Sequence, residues 1–376
     1  MQLIYLSPVP WASFAQRPHK FVEWFHSRHG DKVLWIEPYP TRFPEFSDLL
    51  RKASGLGIGQ QEVQQVHCPE WLTVIKPKAL PIEPLPGSGI VGSLLWASVL
   101  DHATEFLDGR NSCLAIGKPS ELALQLLQRH PNLFSVFDAM DDFAAFYRGL
   151  SSRAMQRTEA KIVSRVRRLL VSSTSLANRF SSNLPKPVLA RNACAMETLP
   201  PVDKLARSEG AVLGYVGTIA SWFDWSLVIN IANENPASLV RLVGPVYTPP
   251  PMALPKNIEL RPACAHTVAI QMMQEFSAGL IPFKNNALTS SVDPVKYYEY
   301  RALGLPVIST KFGEMSLRQH QDGVFLISER DNLKNLIEKT KFYQPEVGQI
   351  ERFRLENNWH ARFDAANILD CTNASF

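Results

Sequence analysis

Hydroxyl, lysine and carboxylate side chains are concentrated between Leu288 and Thr310, in the run LTSSVDPVKYYEYRALGLPVIST. The pattern predicts a loop rich in hydroxyls, a short helix that carries Lys296 and Glu299 and stops at Gly304, and then a buried strand. A lysine beside the free N–H groups of a helix start suits a diphosphate. Glu299 lies three residues after Lys296, on the same helix face, where its carboxylate could accept the paired hydroxyls of a ribose. This chemistry favours a nucleotide-sugar ligand.

Short apolar runs alternate with amphipathic segments through both halves of the chain. The first half predicts strands at Leu3–Leu6, Val33–Ile36, Leu72–Ile75, Cys113–Ile116, Phe134–Phe137, Leu169–Ser172 and Val188–Ala190. The second half predicts them at Val212–Val216, Leu239–Val243, Ile258–Leu260, Ala278–Ile281 and Val307–Ser309. Continuous apolar strands separated by helices indicate parallel sheets covered on both faces. We therefore expect an α/β fold with two doubly wound, Rossmann-like domains facing each other across a cleft.

The division into domains follows a change of composition. A chain of 376 residues is longer than one core usually grows. Prolines and charges predict a linker at residues 198–210, between a first domain at 1–197 and a second at 211–345. A helical segment at 346–376 is expected to cross back and pack on the first domain. The polar stretch Phe43–Cys68 interrupts the strand–helix rhythm and is expected to run over the surface.

The bulk composition is ordinary for a globular protein, with 45% hydrophobic residues and a formal net charge of +4. No nucleic-acid partner is expected from so mild a charge. The five cysteines form no C-x-x-C pair, which favours a reduced compartment. Neither a signal-peptide pattern nor an apolar run of spanning length is visible. We expect a cytoplasmic protein, and the basic run Arg165–Arg168 leaves peripheral contact with the inner face of the membrane open.

With these motifs placed, the chain resembles GT-B glycosyltransferases, in particular those of bacterial polysaccharide synthesis similar to xanthan glucuronosyltransferase. The run from Ser290 to Glu299 and the following Gly304-Leu-Pro-Val resemble the donor-site signature of that family. Glu299 matches the second of two glutamates in the usual signature, which typically holds the ribose. Ser291 stands where the first glutamate is usual. The resemblance implies a nucleotide-sugar donor, with UDP as the expected nucleotide, and no metal cofactor.

Two further turns in the second half resemble donor-binding segments of the family. In Gly214-Tyr-Val-Gly-Thr, a strand exit at Gly217 and Thr218 would lie against the donor phosphates. Arg241 and Gly244 bracket another strand exit, at a place where backbone lies near the nucleotide base. The resemblance therefore implies a donor site formed by Gly217, Thr218, Arg241, Gly244, Lys284, Ser290, Ser291, Lys296 and Glu299.

The first half contains two more matching segments. Phe137-Asp-Ala-Met-Asp-Asp-Phe follows a predicted strand, and its acids would lie at the carboxyl end of the sheet. In the related glucuronosyltransferase the aspartate matching Asp141 is regarded as the catalytic base, so Asp141 is the first candidate and Asp142 the second. Helix capping is the competing interpretation of these acids. The loop that carries Trp11, Arg17 and His19 would contact the acceptor.

These expectations define a glycosyltransferase that moves a hexosyl or glycuronosyl group from a nucleotide-diphosphate sugar to a glycan or lipid-linked acceptor. A base such as Asp141 would deprotonate the acceptor hydroxyl. Two alternatives remain open from the sequence: a nucleotide-sugar epimerase of the same fold, and a non-catalytic nucleotide-sugar-binding scaffold of a polysaccharide assembly complex. Inversion and retention at the transferred sugar also both remain open, since Ser291 replaces one glutamate of the signature.

Overall fold

The computed structural model describes residues 1–30, 32–41, 68–80, 83, 88–107, 111–202, 211–328 and 331–369. The chain divides into two compact units. The first comprises Met1–Val171, Leu176–Leu189 and Asn367–Phe376, and the second comprises Ser172–Ser175 and Ala190–Ala366. Most of the predicted surface stretch Phe43–Cys68, and residues 203–210 of the predicted linker, lie outside the described residues.

The first unit is built on a parallel sheet of seven described strands in the order β3-β2-β1-β4-β5-β6-β7. The strands are β1 Gln2–Leu6, β2 Val33–Ile36, β3 Leu72–Ile75, β4 Ser112–Ile116, β5 Phe134–Ala139, β6 Arg168–Val171 and β7 Pro187–Leu189. Strands β1, β2 and β4 are buried along their whole length. Helices α1 to α6 connect them: Arg17–His29, Ser88–Leu95, Ala97–Phe106, Glu121–Arg129, Gly149–Val163 and Thr174–Arg179.

The second unit contains a parallel sheet of six described strands in the order β10-β9-β8-β11-β12-β13. They are β8 Val212–Val216, β9 Leu239–Val243, β10 Ile258–Arg261, β11 Ala278–Ile281, β12 Val307–Thr310 and β13 Val324–Ile327. Its helices α7 to α12 are Trp225–Glu234, His266–Gln274, Val295–Ala302, Leu333–Thr340, Val347–Glu356 and Trp359–Ala365. Buried residues of α8 and α9 pack on one face of the sheet, and those of α7 and α10 on the other.

The predicted α/β fold with two parallel sheets is confirmed, but two elements differ from the predictions. Strand β13 was missed, although its apolar run Val324–Ile327 is as long as that of several predicted strands. The apolar pattern over Val91–Phe106 predicts one helix, but this segment is broken at Trp96, between α2 and α3. The ring of Trp96 lies so close to Gly92 that a Cβ there would be 2.5 Å from it.

The C-terminal helices also differ from the prediction that they pack on the first domain. The apolar side chains of α11 lie against the second unit, with the Phe353 ring 5.9 Å from Tyr297. The guanidinium of Arg354, buried in the same helix, donates to the Ala302 carbonyl at 2.7 Å. Only from Asn367 does the chain group with the first unit, where the carbonyl of Asn367 accepts from Arg168 at 2.9 Å.

Candidate functional site

Two glycines stand at the carboxyl edge of the second sheet, where β8 and β9 end. Gly217 has φ +155° and Gly244 has φ +141°, a region that side-chain-bearing residues rarely adopt. The Gly217 N–H donates to the Val243 carbonyl at 2.9 Å. A Cβ on Gly244 would lie 2.1 Å from the Gly217 carbonyl oxygen. Glycine at these strand exits therefore exposes backbone to any ligand above the edge.

We expect Gly244→Ala to lower the free energy of unfolding by roughly 2–5 kcal/mol, because it combines backbone strain with a collision against fixed backbone. Chemical denaturation measures this. Gly348→Ala is the matched control, because a Cβ there meets nothing within 4 Å, and helix propensity should make it neutral or stabilising by about 0.5–1 kcal/mol. Equal stability of the two variants would contradict the close contact.

The loop before α9 is held by its own hydroxyl and amide groups. The Thr289 hydroxyl donates to the Lys284 carbonyl at 2.5 Å and accepts from the Asn286 N–H at 3.1 Å. Ser290 is exposed, and its hydroxyl donates to the Ala287 carbonyl at 3.0 Å. Ser291 is 3% exposed, and its hydroxyl has no hydrogen-bond partner among the described residues. The predicted Ser290 and Ser291 thus differ sharply in accessibility.

A buried ionic network around Asp293 holds this loop in place. The sequence did not predict this network. Asp293 is 3% exposed and accepts from Arg318 at 2.7 Å, from the Tyr298 hydroxyl at 2.9 Å and from the Asn192 N–H at 2.8 Å. The Arg318 guanidinium lies 3.9 Å from the centre of the Tyr297 ring. The aspartate before a proline in the run SSVDPVKYY was the only available signal, since Arg318 lies far along the chain.

Lys296 and Glu299 come together on α9, as predicted, and His266 from the start of α8 joins them. Glu299 is 4% exposed. Its carboxylate accepts from the Lys296 ammonium and, at 2.8 Å, from Nε2 of His266. Burial alone would raise the pKa of Glu299, but Lys296 and the hydrogen bond from His266 outweigh it and hold the pKa below its usual range. A carboxylate kept ionised in this way retains lone pairs for further donors.

The start of α9 is also suited to an anion. Its N-cap, Pro294, provides no side-chain cap for the first amides, so the N-terminal N–H groups and the Lys296 ammonium are positive groups at one place. Lys284 follows β11 and is exposed. Thr218 follows β8, and its carbonyl accepts from the Tyr215 hydroxyl at 2.9 Å. These groups all belong to segments that leave the carboxyl edge of one sheet.

Arg241 does not belong to this group. It lies within β9, where its guanidinium is held by Glu259 at 2.6 Å and by Glu275. Burial opposes the charge, but both carboxylates outweigh it and raise the Arg241 pKa. Since both partners are fixed nearby, Arg241 acts as a cross-strand and strand–helix tie. Its predicted contact with the nucleotide base has no geometric support beyond its place beside Gly244.

Two of the three aromatic side chains after β8 are buried and cannot contact a sugar. Phe223 is fully buried and Trp225 is 4% exposed. The indole N–H of Trp225 donates to the Thr248 carbonyl at 2.9 Å. Both side chains belong to the core between the sheet and α7, and only Trp222 remains partly exposed.

In the first unit, Arg17 is engaged by a buried carboxylate. It is 4% exposed, and its Nε and Nη2 atoms donate to Asp138 at 2.9 and 2.7 Å, in a bidentate pair. Asp138 is fully buried at the end of β5. Arg17 therefore has a structural role beside its predicted contact with the acceptor. The Arg17–Asp138 pair connects the start of α1 to the end of β5, where the acidic loop begins.

His19 is likewise part of the structure of its loop. Nδ1 accepts from the Gln16 N–H at 3.2 Å, so Nε2 carries the proton and donates to the Trp11 carbonyl at 3.1 Å. Burial lowers the pKa of His19 to about 4, which keeps the ring neutral. The Trp11 ring, partly exposed, lies 5.0 Å from the imidazole. Of the three predicted acceptor residues, Trp11 presents the most accessible surface.

The acidic loop after β5 separates its two candidate bases. Asp142 forms an ion pair with Arg179 at 2.9 Å, and Arg179 also binds the buried Glu159 of α5. Asp141 is partly exposed, and its carboxylate has no hydrogen bond or ion pair with any residue that the structure describes. Burial raises the pKa of Asp141 to about 7; Arg17 opposes the shift, and Asp138 and Asp142 add to it. Asp141 is thus the candidate whose carboxylate is unpaired among the described residues and whose pKa burial raises.

Two absences apply only to the described part of the chain. No group of three or more histidine, cysteine or acidic side chains there could hold a metal ion. None of the helices in that part is both long enough and apolar enough to cross a membrane.

No model of a protein family matches the chain. A protein named as a teichuronic acid biosynthesis glycosyltransferase, TuaH of Bacillus subtilis, is 26% identical over 207 residues. The match covers 49% of this chain and 52% of TuaH, so the chain spans about half the length of that relative.

Solved structures match over nearly the whole chain. Sucrose-phosphate synthase from Thermosynechococcus elongatus has a TM-score of 0.69 at 13% identity, with 98% of each chain covered. Anabaena HepE, in complex with UDP-glucose, has a TM-score of 0.65 at 13% identity, also with 98% of each chain covered. Identities this low establish the fold alone. These structural matches and the two parallel sheets confirm the resemblance that the motifs indicated: the chain has the GT-B fold.

Proposed function

We propose that this protein is a glycosyltransferase that transfers a sugar from a nucleotide-diphosphate sugar to a carbohydrate acceptor in polysaccharide synthesis. The observation that carries the proposal is the ionised Glu299 on α9, beside Lys296 and His266. It combines an acceptor for sugar hydroxyls with positive charge for phosphates. The likeness to TuaH, whose name places it in teichuronic acid biosynthesis, supports this class of reaction.

In the donor site we assign the ribose hydroxyls to Glu299 and the diphosphate to Lys296 and the first amides of α9. Glu299 already accepts two hydrogen bonds, which leaves about two of its roughly four lone-pair sites. Gly217 and Gly244 allow the nucleotide to approach backbone closely. HepE was solved with UDP-glucose, which supports UDP as the first nucleotide to test.

The base that deprotonates the acceptor hydroxyl is Asp141 in this proposal. A pKa of about 7 suits a general base at neutral pH, because the ionised form is available and still accepts a proton well. Asp142 and Asp138 are weaker candidates, since each is held by an arginine. Trp11 offers a partly exposed ring for an acceptor sugar. The transferred group is proposed to be a hexose or a hexuronic acid.

Charge on the leaving diphosphate is proposed to be balanced by protein groups, with no metal required. Lys296, Lys284 and the start of α9 supply that charge through fixed dipoles and ammonium groups. Transfer should therefore persist in the presence of a chelator.

The proposal is tested by incubating the protein with radiolabelled UDP-, GDP- and dTDP-sugars and a lipid extract, with and without EDTA. We expect label to enter a glycan or a glycolipid from one donor, in both conditions. Label that stays in a free nucleotide sugar of changed configuration would instead support an epimerase. Tight donor binding without any turnover would support a scaffold, and loss of transfer in EDTA would contradict metal independence.

A further inference from the structure

One exposed face of the first unit combines cations with apolar tips and contains no acid. Helix α5, Gly149–Val163, places Arg153, Arg157 and Lys161 at intervals of four residues, so they form one stripe. All three are exposed. Leu150, on the same side of the helix, is 69% exposed, and Phe146 in the preceding turn is 47% exposed. We name this set the basic face: Phe146, Arg148, Leu150, Arg153, Arg157 and Lys161.

The cations of the basic face are not used for internal pairing. None of them forms an ion pair with a described residue, and every exposed side chain from Phe146 to Arg165 is basic, neutral or apolar. The only acid of α5, Glu159, points the other way, where it is buried against Arg179. A helix whose outer side combines positive and apolar groups without any acid is complementary in charge and polarity to an anionic lipid layer.

The apolar tips are held rigidly relative to the helix. The turn Phe143–Phe146 packs on α5 through a small cluster of Phe143, Ala144 and Met155. The Ser152 hydroxyl donates to the Ala144 carbonyl at 3.0 Å. Phe146 therefore projects from a fixed position at the start of the basic face, where it can enter the lipid layer while the arginines contact headgroups.

The basic face is also tied to the acidic loop. Asp142 precedes the turn that carries Phe146, and Arg179 bridges Asp142 to Glu159 on the inner side of α5. We propose that the basic face docks the protein on an anionic membrane and holds Asp141 near the lipid surface, where a lipid-linked acceptor would be met. The docking itself does not depend on the proposed transferase activity.

Vesicle sedimentation of the full chain, without donor, tests the proposal. We expect binding to vesicles of phosphatidylcholine mixed with phosphatidylglycerol and little binding to phosphatidylcholine alone, with the binding weakened by salt. Each basic residue near an anionic surface adds about fivefold to partitioning. The variant Arg153→Gln/Arg157→Gln should therefore bind roughly 30-fold more weakly. The variant Phe146→Ser/Leu150→Ser should weaken binding at low and high salt alike.

Matched controls come from the second unit. Lys334→Gln/Lys339→Gln removes the same charge from exposed positions, and Phe342→Ser removes a ring that is 84% exposed. Neither should change vesicle binding, and circular dichroism should show all variants folded. Vesicle binding that is unchanged in the basic-face variants would overturn the proposal. Binding to heparin that is as strong as binding to vesicles, and that is unchanged in Phe146→Ser/Leu150→Ser, would also overturn it. That result would indicate a general polyanion-binding surface.

Discussion

Asp141→Asn is expected to reduce sugar transfer by about 10²–10⁴-fold, the usual contribution of a general base, while donor affinity stays unchanged. The reason is that the amide cannot accept the proton of the acceptor hydroxyl but has the same shape. The wild-type rate should rise with pH through about 7, since only ionised Asp141 is active and burial has raised its pKa to that value. Steady-state kinetics over a pH series and calorimetric titration with the donor nucleotide measure both parts.

Asp142→Asn is the matched control for this prediction. Asp142 is ion-paired with Arg179, and its negative charge helps to raise the pKa of Asp141. Its neutralisation should therefore move the rising part of the pH profile to lower pH and leave the maximal rate within about tenfold. A variant pair in which Asp142→Asn is inactive and Asp141→Asn is active would reverse the assignment.

Asp141→Asn should also change the stability of the fold, by an amount that depends on pH. The pKa of Asp141 is raised in the folded state from 3.8 to about 7. Between those values the folded state binds more protons than the unfolded state, so stability falls as pH rises through this range. Asp141→Asn removes that cost, and its thermal midpoint should exceed that of the wild type at pH 8 but not at pH 3. A carboxylate kept at the expense of stability is typical of a functional group.

The sheets could be predicted from the sequence because each strand is a short, continuous apolar run between polar turns. Strands such as Val33–Ile36 and Ala278–Ile281 have the predicted bounds, and every residue in them is buried. The break at Trp96 could not be predicted, because apolar residues continue on both sides of it and nothing in the sequence marks the close packing of its ring on Gly92. The position of the last helices depends likewise on packing between distant segments.

The candidate site was predictable where its groups are adjacent in sequence and not where they meet through the fold. Lys296 and Glu299 are one helical turn apart, so their pairing follows from local geometry. His266, which completes this group, comes from another helix. Arg17 and Arg241 were expected to bind ligand as free cations, but Asp138 and Glu259 hold them. These ion-pair partners lie on neighbouring elements of the fold, and a single sequence does not show which residues will pair.

Glu299→Gln is expected to weaken binding of UDP by about 10–100-fold, because hydrogen bonds to a charged acceptor contribute about 1.5–3 kcal/mol. The ribose assignment makes a sharper prediction. Wild type should prefer UDP over 2′,3′-dideoxy-UDP by a similar factor, whereas Glu299→Gln should bind both ligands almost equally. Calorimetric titration of the two proteins with the two ligands forms a cycle that isolates the contact between the carboxylate and the hydroxyls.

Two outcomes of this cycle separate recognition from structural damage. Glu299 also neutralises Lys296, and losing a buried carboxylate can disturb the start of α9. In that case both ligands would bind more weakly by the same factor, and the preference for UDP would persist, which would contradict the ribose assignment. Glu275→Gln is the control for removing a carboxylate from an ion pair in the same unit, with Arg241 as its partner. It should leave both affinities unchanged, because Glu275 lies on the far end of α8 from His266 and holds no ligand group.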